Sequence, residues 1–158
     1  MGTEIEHKFL VIGDGWRTGA TSKRVRQGYL SVDPLRIVRV RTSGDEAYLT
    51  IKGEQHGMAH TEFEYAIPFA DAEHMLDRLC AKPWIEKTRY LVPHNGLTWE
   101  VDEFFGDNAG LIVAEIELAD TDQVITLPDW VGQEVTQDDR YYNAQLVQQP
   151  YNVWRPAV

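Results

Sequence analysis

The feature that most constrains the fold is a series of short segments in which charged residues recur at every second position. In the first segment, Glu4, Glu6 and Lys8 alternate with less polar residues. Successive side chains of a β-strand point to opposite faces, so the charged residues of one segment share a face. The alternation recurs at Arg39 and Arg41, Thr50 and Lys52, Glu62 and Glu64, Lys87 and Arg89, Glu100 and Asp102, and Glu115 and Glu117. This pattern predicts an antiparallel sheet.

Turn signals divide the chain into eight predicted strands and two predicted helices. The strands are placed at 3–11, 26–31, 36–42, 46–52, 59–67, 86–92, 98–104 and 111–118. The helices are placed at 70–80 and 139–148, the second with Asp138 as its cap, while 15–25 reads equally as a loop or a short helix. The fold class is therefore α+β and mainly β, with residues 1–158 in one domain. A sandwich and a closed barrel both fit eight strands with few helices.

The charges are also sorted by sign in several strands, with Arg or Lys pairs in some and Glu or Asp pairs in others. A solvated sheet face explains any single strand, but like charges two positions apart repel, and Glu is a weak strand former. Closing the sheet with these faces inward gives a lumen lined by both signs. Burying an unpaired charge costs roughly several kcal/mol for each ion, so such a lumen has to be hydrated or filled by a ligand. We therefore predict an eight-stranded antiparallel closed β-barrel, a tunnel, with a few flanking helices. Its apolar outer face has to pack against the helices or against another subunit. Because two or three short helices cannot cover a whole barrel, we expect a homodimer.

A lumen with several carboxylates and several cations suits a metal-bridged polyphosphate. Mg²⁺ and Mn²⁺ prefer carboxylate, water and phosphate oxygens, whereas Arg and Lys bind the phosphates themselves. The reaction that such a lining supports is phosphoryl transfer to water. The sequence contains no Gly-x-x-x-x-Gly-Lys phosphate loop and no Cys/His spacing typical of zinc sites.

Composition excludes several other classes of partner. The formal net charge is −10, which disfavours nucleic acid as a partner. No apolar run approaches the roughly 18 residues of a membrane helix, and the charged segment 1–9 is unlike a signal peptide. The single cysteine, Cys80, fits a reducing compartment and more often packs in a core than acts as a nucleophile. We expect a cytoplasmic protein with no membrane partner.

Several motifs resemble those of one family. The opening Glu4-Ile5-Glu6-His7-Lys8 resembles the Glu-x-Glu-x-Lys motif of the CYTH superfamily, the triphosphate tunnel metalloenzymes. The motifs that follow are similar in order: Gln27-Gly28-Tyr29-Leu30, Arg39-Val40-Arg41, Thr50-Ile51-Lys52, Glu62-Phe63-Glu64, Lys87-Thr88-Arg89, Trp99-Glu100-Val101-Asp102 and Ala114-Glu115-Ile116-Glu117-Leu118. The tail, 127–143, is similar to the short bacterial members. The resemblance covers essentially the whole chain.

The resemblance implies an eight-stranded antiparallel tunnel that uses Mg²⁺ or Mn²⁺ on triphosphates, and it implies roles for individual residues. The implied metal ligands are Glu4, Glu6, Glu115 and Glu117, supported by Asp102, Glu62 and Glu64. The implied triphosphate-binding residues are Lys8, Arg39, Arg41, Lys52, Lys87 and Arg89. Lys8 and Tyr29 resemble a catalytic pair of the short bacterial members, in which a Lys among other cations is expected to have a lowered pKa. His60 departs from the family, which often has Arg there. A neutral His among the phosphate-binding residues would weaken one phosphate contact, whereas a His60 at the tunnel mouth would have no such effect.

The first functional hypothesis is hydrolysis of inorganic triphosphate (tripolyphosphate) to pyrophosphate and phosphate. A class IV adenylate cyclase is the main alternative, although no sequence feature secures an adenine. A thiamine or nucleoside triphosphatase would need an aromatic clamp, for which Trp16 and Trp154 are candidates. A polyphosphate-binding module without catalysis is a fourth reading, against which the intact Lys8 and the carboxylates argue.

Glu103 interrupts the otherwise apolar outer face of its strand.

Overall fold

A computed structural model describes residues 2–56, 59–119 and 122–156 of the chain, without the side chains of residues 2–4 and 55. Nine strands are present in these ranges: β1 Gly2–Val11, β2 Thr21–Ser31, β3 Arg36–Ser43, β4 Glu46–His56, β5 Ala59–Ala66, β6 Ile85–His94, β7 Leu97–Phe104, β8 Ile112–Glu117 and β9 Val131–Glu134. Three helices accompany them: α1 Phe69–Arg78, α2 Asn143–Gln148 and α3 Tyr151–Trp154. No helix in these ranges has the length and apolarity needed to cross a membrane.

The first eight strands form a closed antiparallel barrel. Their order is β5-β4-β3-β2-β6-β7-β8-β1, and β1 closes the ring because its first residues pair with β5 while Glu6–Leu10 pair with β8. The prediction of a barrel is therefore confirmed and the sandwich alternative is wrong. β9 is an additional strand that pairs with β1 near Phe9 and Val11.

The pairing register keeps the charged faces of neighbouring strands together. Lys8 lies opposite Glu115, Lys52 lies opposite Glu62, and Arg89 lies opposite Asp102. Because side chains alternate along every strand, these pairs share the inner face and the apolar positions between them face outward.

Helix α1 covers one part of the outer face. Its buried Ala72 and Leu76 pack with Val40, Ala47 and Cys80. The close approach depends on Gly28 in β2, since a Cβ at this position would lie 2.8 Å from Cys80 Cβ and 3.0 Å from Leu76 Cδ2. Cys80 is thus a packing residue, as its place on an apolar helix stripe predicts.

A second part of the outer face is covered by loops. Trp16 and Trp99 are fully buried there, and Trp130 packs against them. This arrangement also explains Glu103: Arg17 stacks 4.2 Å from the Trp16 ring and binds the Glu103 carboxylate at 3.2 Å. The charge therefore has a partner on the outside of the barrel.

Two stretches differ from the sequence-based predictions. Segment 15–25 is a single 3-10 turn, Gly15–Arg17, followed by β2, which begins at Thr21 rather than at residue 26. The first residues of β2 are exposed and polar, so they carry no apolar alternation. The predicted helix 139–148 is a 3-10 turn, Asp139–Tyr141, followed by α2, and Asp138 accepts a hydrogen bond from Arg140 N as its predicted capping role requires. β9 and α3 were not predicted.

The C-terminal segment fills one end of the barrel. Leu146 and Val147 of α2 join Ile85, Phe104 and Val113, which are inner-face residues of the barrel, in one apolar cluster. The inner faces of β7 and β8 thus change from charged to apolar along their length. The charged cavity of the lumen lies beyond this cluster.

We expect Gly28→Ala to destabilise the protein by about 1–3 kcal/mol, because the added methyl group overpacks the contact between β2 and α1. Gly53→Ala is the matched control, since its Cβ would meet Thr61 Cβ at an ordinary 3.6 Å. The control should be neutral or slightly stabilising. Urea unfolding measures both variants, and equal stabilities would contradict the role given to Gly28.

Candidate active site

The lumen of the barrel contains a cavity of about 270 Å³. Most of the residues predicted for the site line it, namely Glu6, Lys8, Tyr29, Arg39, Arg41, Lys52, Glu62, Glu64, Lys87, Arg89, Glu115 and Glu117. The Glu4 side chain lies outside the described part of the chain, although the Glu4 backbone pairs with His60. Asp102 is not part of the cavity wall; it lies behind the wall and is 1% exposed.

Asp102 holds two of the cations in place. Its carboxylate accepts from Arg89 Nε and Nη2, both at 2.8 Å, and lies 2.8 Å from Lys87 Nζ. Burial alone would raise the pKa of Asp102, but the charges of Arg89 and Lys87 hold that pKa well below its usual range. The geometry makes Asp102 an anchor for two cations of the cavity wall, whereas the family resemblance implied a supporting metal ligand.

Lys87 has a lowered pKa. Burial, together with Arg89 and Arg41, lowers the pKa of Lys87 to about 7 although Asp102 opposes the shift. Its Nζ also donates to Asn143 Oδ1 at 2.8 Å. A phosphate chain brought into this cavity would favour the protonated form.

The pKa of Lys8 is shifted in the opposite direction from the sequence-based expectation. Its Nζ lies 3.4 Å from Glu115 Oε1 and donates to Tyr141 O at 3.4 Å. Burial acts to lower the pKa of Lys8, but Glu115 and Glu6 outweigh it, so the pKa is raised. The expectation of a lowered pKa for Lys8 is wrong, since this lysine has carboxylates beside it. Although Lys8 and Tyr29 both line the cavity, no hydrogen bond joins them in the described structure.

Arg39 and Arg41 lie side by side on β3. Arg39 Nη2 donates to Thr50 Oγ1 at 3.2 Å, while its Nε is buried and has no hydrogen-bond partner among the described residues. Arg41 Nε donates to Gln27 Oε1 at 2.8 Å. Burial and the neighbouring Arg39 and Arg89 lower the pKa of Arg41 to about 9. Two adjacent guanidinium groups in one wall call for an anionic ligand.

The C-terminal segment contributes residues that the strand pattern did not identify. Thr136, Tyr142, Asn143 and Ala144 line the cavity. Thr136 Oγ1 accepts from Lys8 N at 3.0 Å, and Tyr142 Oη donates to Thr136 O at 2.7 Å. The Lys8 ammonium lies 5.1 Å from the centre of the Tyr142 ring. Period-2 alternation carries no information on this segment, and the resemblance of the tail was the one signal that marked it.

Comparisons with known proteins agree with this geometry. The family model described as CYTH domain matches residues 2–149. The chain belongs to the CYTH family. The chain is 51% identical over 151 residues to an inorganic triphosphatase of Acetivibrio thermocellus, and the alignment covers 96% of this chain and 97% of that protein. It is 38% identical over 151 residues to an inorganic triphosphatase of Nitrosomonas europaea, covering 91% and 96%. The crystal structure of the inorganic triphosphatase NE1496 matches with a TM-score of 0.65 and 34% identity over 99% of both chains.

Membership of this metalloenzyme family implies a divalent metal, and the carboxylates of the lumen fit one. Glu6 lies directly opposite Glu117 on paired strands, and Glu100 opposite Glu115. Like charges in such positions repel, and a bound cation relieves the repulsion. Among the described side chains, no three His, Cys, Asp or Glu groups are close enough to hold a metal alone. Mg²⁺ commonly binds one or two carboxylates and completes its shell with water and substrate phosphates, so this donor set suits it.

The two candidate tryptophans for an aromatic clamp lie away from the cavity. Trp16 is completely buried in the outer-face cluster. Trp154 packs edge-on against Tyr141 and Tyr151 at 5.2 and 5.1 Å. Neither ring is available to stack on a thiazole or a base in the lumen, so the sequence-based suggestion of a clamp is wrong.

The pKa of about 7 for Lys87 predicts that the binding of tripolyphosphate depends on pH. Above this value the ligand-free protein loses the Lys87 proton, whereas the complex keeps it because phosphate oxygens stabilise the ammonium. The affinity for tripolyphosphate is therefore highest well below pH 7 and decreases as the pH rises through about 7. Between about pH 6 and about pH 8 we expect the dissociation constant to increase about tenfold. Isothermal titration calorimetry in chelator measures it, and Lys87→Met should remove this increment. An equal pH dependence in both proteins would contradict the assignment.

Proposed function

We propose that this chain is a metal-dependent triphosphatase that hydrolyses inorganic triphosphate to pyrophosphate and phosphate. One observation carries the proposal: six cationic side chains and at least six carboxylates share one cavity of about 270 Å³ inside a closed barrel. The two relatives that are 51% and 38% identical are both inorganic triphosphatases, which supports the same substrate here.

The number of cations matches a long phosphate chain better than a single phosphate. Lys8, Arg39, Arg41, Lys52, Lys87 and Arg89 are the residues we propose to bind the phosphate oxygens. Arg presents a planar fork to two oxygens, and Lys a point charge, so together they can follow several phosphoryl groups. The cavity volume lies just below the roughly 300–1,000 Å³ of sites for drug-sized ligands. It suits an inorganic phosphate chain.

The catalytic roles follow from the positions of these groups. We propose that one or two carboxylates of the set Glu6, Glu62, Glu64, Glu115 and Glu117, with Glu4, hold Mg²⁺ or Mn²⁺ together with water and substrate phosphates. When bound, such an ion supplies charge neutralisation at the phosphate oxygens and polarises the phosphoryl group. Lys8, kept protonated by Glu115, stabilises charge that develops on the phosphate chain. Tyr29 offers a hydroxyl group to a phosphate oxygen from the opposite wall.

Purified protein with Mg²⁺ or Mn²⁺ should convert tripolyphosphate to equal amounts of pyrophosphate and phosphate, which ³¹P NMR distinguishes. ATP and thiamine triphosphate, offered in parallel, should be hydrolysed more slowly, because neither candidate clamp residue, Trp16 or Trp154, is among the described residues that line the cavity. Formation of cyclic AMP with pyrophosphate would favour the cyclase alternative. Binding without turnover of any substrate would favour the non-catalytic module.

Arg39→Ala should lower kcat/KM about tenfold to hundredfold, since a hydrogen bond to a charged group contributes about 1.5–3 kcal/mol. Arg17→Ala is the matched control, because Arg17 binds Glu103 on the outside of the barrel. Steady-state kinetics on tripolyphosphate compare the two variants. A control that loses as much activity as Arg39→Ala would argue against a specific phosphate contact.

We further propose a cytoplasmic homodimer in which the second copy covers the outer face of β4 and β5. Ile51 and Tyr65 remain 37% and 55% exposed there, beside Phe63, and helix α1 does not reach them. Copies with a net charge of −10 repel least where the surface lacks charge, which favours this patch. Sedimentation equilibrium should give a dimer that Tyr65→Lys dissociates. Val124→Lys, a change at another exposed apolar residue, should have no effect, and a monomeric wild-type protein would refute the proposal.

A further inference from the structure

Gln27 is a buried side chain that has no role in the metal-dependent reaction proposed above. It is 0% exposed and lies on the inner face of β2, two residues before Tyr29. Its Oε1 accepts from Arg41 Nε at 2.8 Å. Its Nε2 donates to Tyr29 Oη and to Asn143 Oδ1, both at 3.0 Å. One neutral amide thus touches three residues that line the cavity.

The orientation of this amide is fixed by its neighbours. The guanidinium of Arg41 can only donate, so Gln27 must present its carbonyl oxygen to it. The two hydrogens on Gln27 Nε2 then face Tyr29 and Asn143. Asn143 Oδ1 also receives the hydrogen bond from Lys87 Nζ at 2.8 Å, and a protonated Lys can only donate. Flipping the Gln27 amide would place a hydrogen against Arg41, so a single arrangement satisfies every group.

This arrangement determines the direction of the Tyr29 hydroxyl. Tyr29 Oη accepts a hydrogen bond from Gln27, so its own hydrogen has to go to another acceptor. The described structure gives Tyr29 Oη no protein acceptor, and the ring is only 4% exposed. The open volume beside it is the charged cavity that it lines. The hydroxyl hydrogen is therefore available to an oxygen of an anionic ligand.

We propose that Gln27 is a positioning residue that makes Tyr29 a hydrogen-bond donor to the bound triphosphate. It does so by occupying the acceptor side of the phenol, while it also holds Arg41 and, through Asn143, Lys87 in the same wall. The inference rests on the proposed function for the identity of the ligand. It adds a polar but uncharged residue to a site that otherwise consists of charges.

Gln27→Glu tests this role with almost no change of shape. The introduced carboxylate still accepts from Arg41, but it cannot donate, so Tyr29 donates to this carboxylate instead of to the substrate. We expect kcat on tripolyphosphate to decrease about tenfold or more. Gln148→Glu introduces the same charge at an exposed position of α2 and should retain activity.

A double-mutant cycle with Tyr29→Phe separates positioning from simple charge repulsion. If Gln27 acts mainly through the Tyr29 hydroxyl, Gln27→Glu should lower kcat much less in the Tyr29→Phe background, where the lost contact with Asn143 is the remaining effect. Repulsion of the substrate by the new carboxylate would persist in that background and would appear in KM. Equal losses of kcat in both backgrounds would overturn the proposal, as would a Gln27→Glu variant with wild-type kcat.

A second readout does not depend on turnover. In protein carrying tyrosine labelled with ¹³C at Cζ, the Tyr29 resonance is identified by its loss in Tyr29→Phe. In ligand-free Gln27→Glu it should move downfield, because the phenol now donates to a carboxylate, and it should no longer respond to tripolyphosphate added in chelator. A wild-type protein that fails to hydrolyse tripolyphosphate would refute the proposed function. The downfield shift of the Tyr29 resonance in Gln27→Glu would still test the role of Gln27, because it is measured without ligand. An unchanged Tyr29 resonance would overturn the positioning role.

Discussion

The buried contact of Asp102 with Lys87 and Arg89 is the interaction on which the charged lumen depends. Removing one partner of a buried ion pair costs about 3–5 kcal/mol, because the remaining charge is left in a medium that solvates it poorly. Here a single carboxylate serves two cations and receives three short contacts. It therefore allows a cationic wall to exist before any ligand arrives, while the charges that face the cavity remain available to phosphate.

The same balance explains why the two lysines of the lumen differ. Lys8 has the carboxylates of Glu115 and Glu6 beside it and keeps its proton firmly. Lys87 has Asp102 as its acidic neighbour, but that carboxylate is shared with Arg89, and Arg41 is also close. Burial acts to lower the pKa of both lysines, so the opposite directions of the two pKa shifts follow from the balance of carboxylates and cations beside each of them.

Strand alternation was sufficient to predict the barrel and most of its lining, for a physical reason. A period of two leaves only two choices of face, and charges such as Arg39 and Arg41 cannot occupy the apolar one. The closure of the ring then follows from eight strands that all require the same interior. The pattern does not show the depth at which each residue lies, which is why Asp102 was grouped with the metal ligands although it lies behind the wall.

The alternation could not reveal the contribution of the C-terminal segment, because residues 136–144 reach the lumen from outside the barrel. Their position is set by tertiary packing of Leu146 and Val147 on the apolar end of the ring. The first residues of β2 were missed for a related reason, since they are exposed on both faces and have no apolar alternation. Sequence patterns report burial that follows the period of a regular element. The first residues of β2 are exposed, and the buried residues of 136–144 follow no such period.

The amides at the closed end of the lumen solve a problem that carboxylates would solve less well. Arg41 and Lys87 are donors and need acceptors, yet each additional carboxylate would cancel part of the positive field that attracts a phosphate chain. Gln27 and Asn143 supply oxygen acceptors without adding charge, and the Gln27 nitrogen connects the two side chains. Neutral acceptors at the base and carboxylates elsewhere in the lumen thus keep the wall that contains Arg41 and Lys87 cationic, and this division follows from the electrostatics that a polyanion site requires.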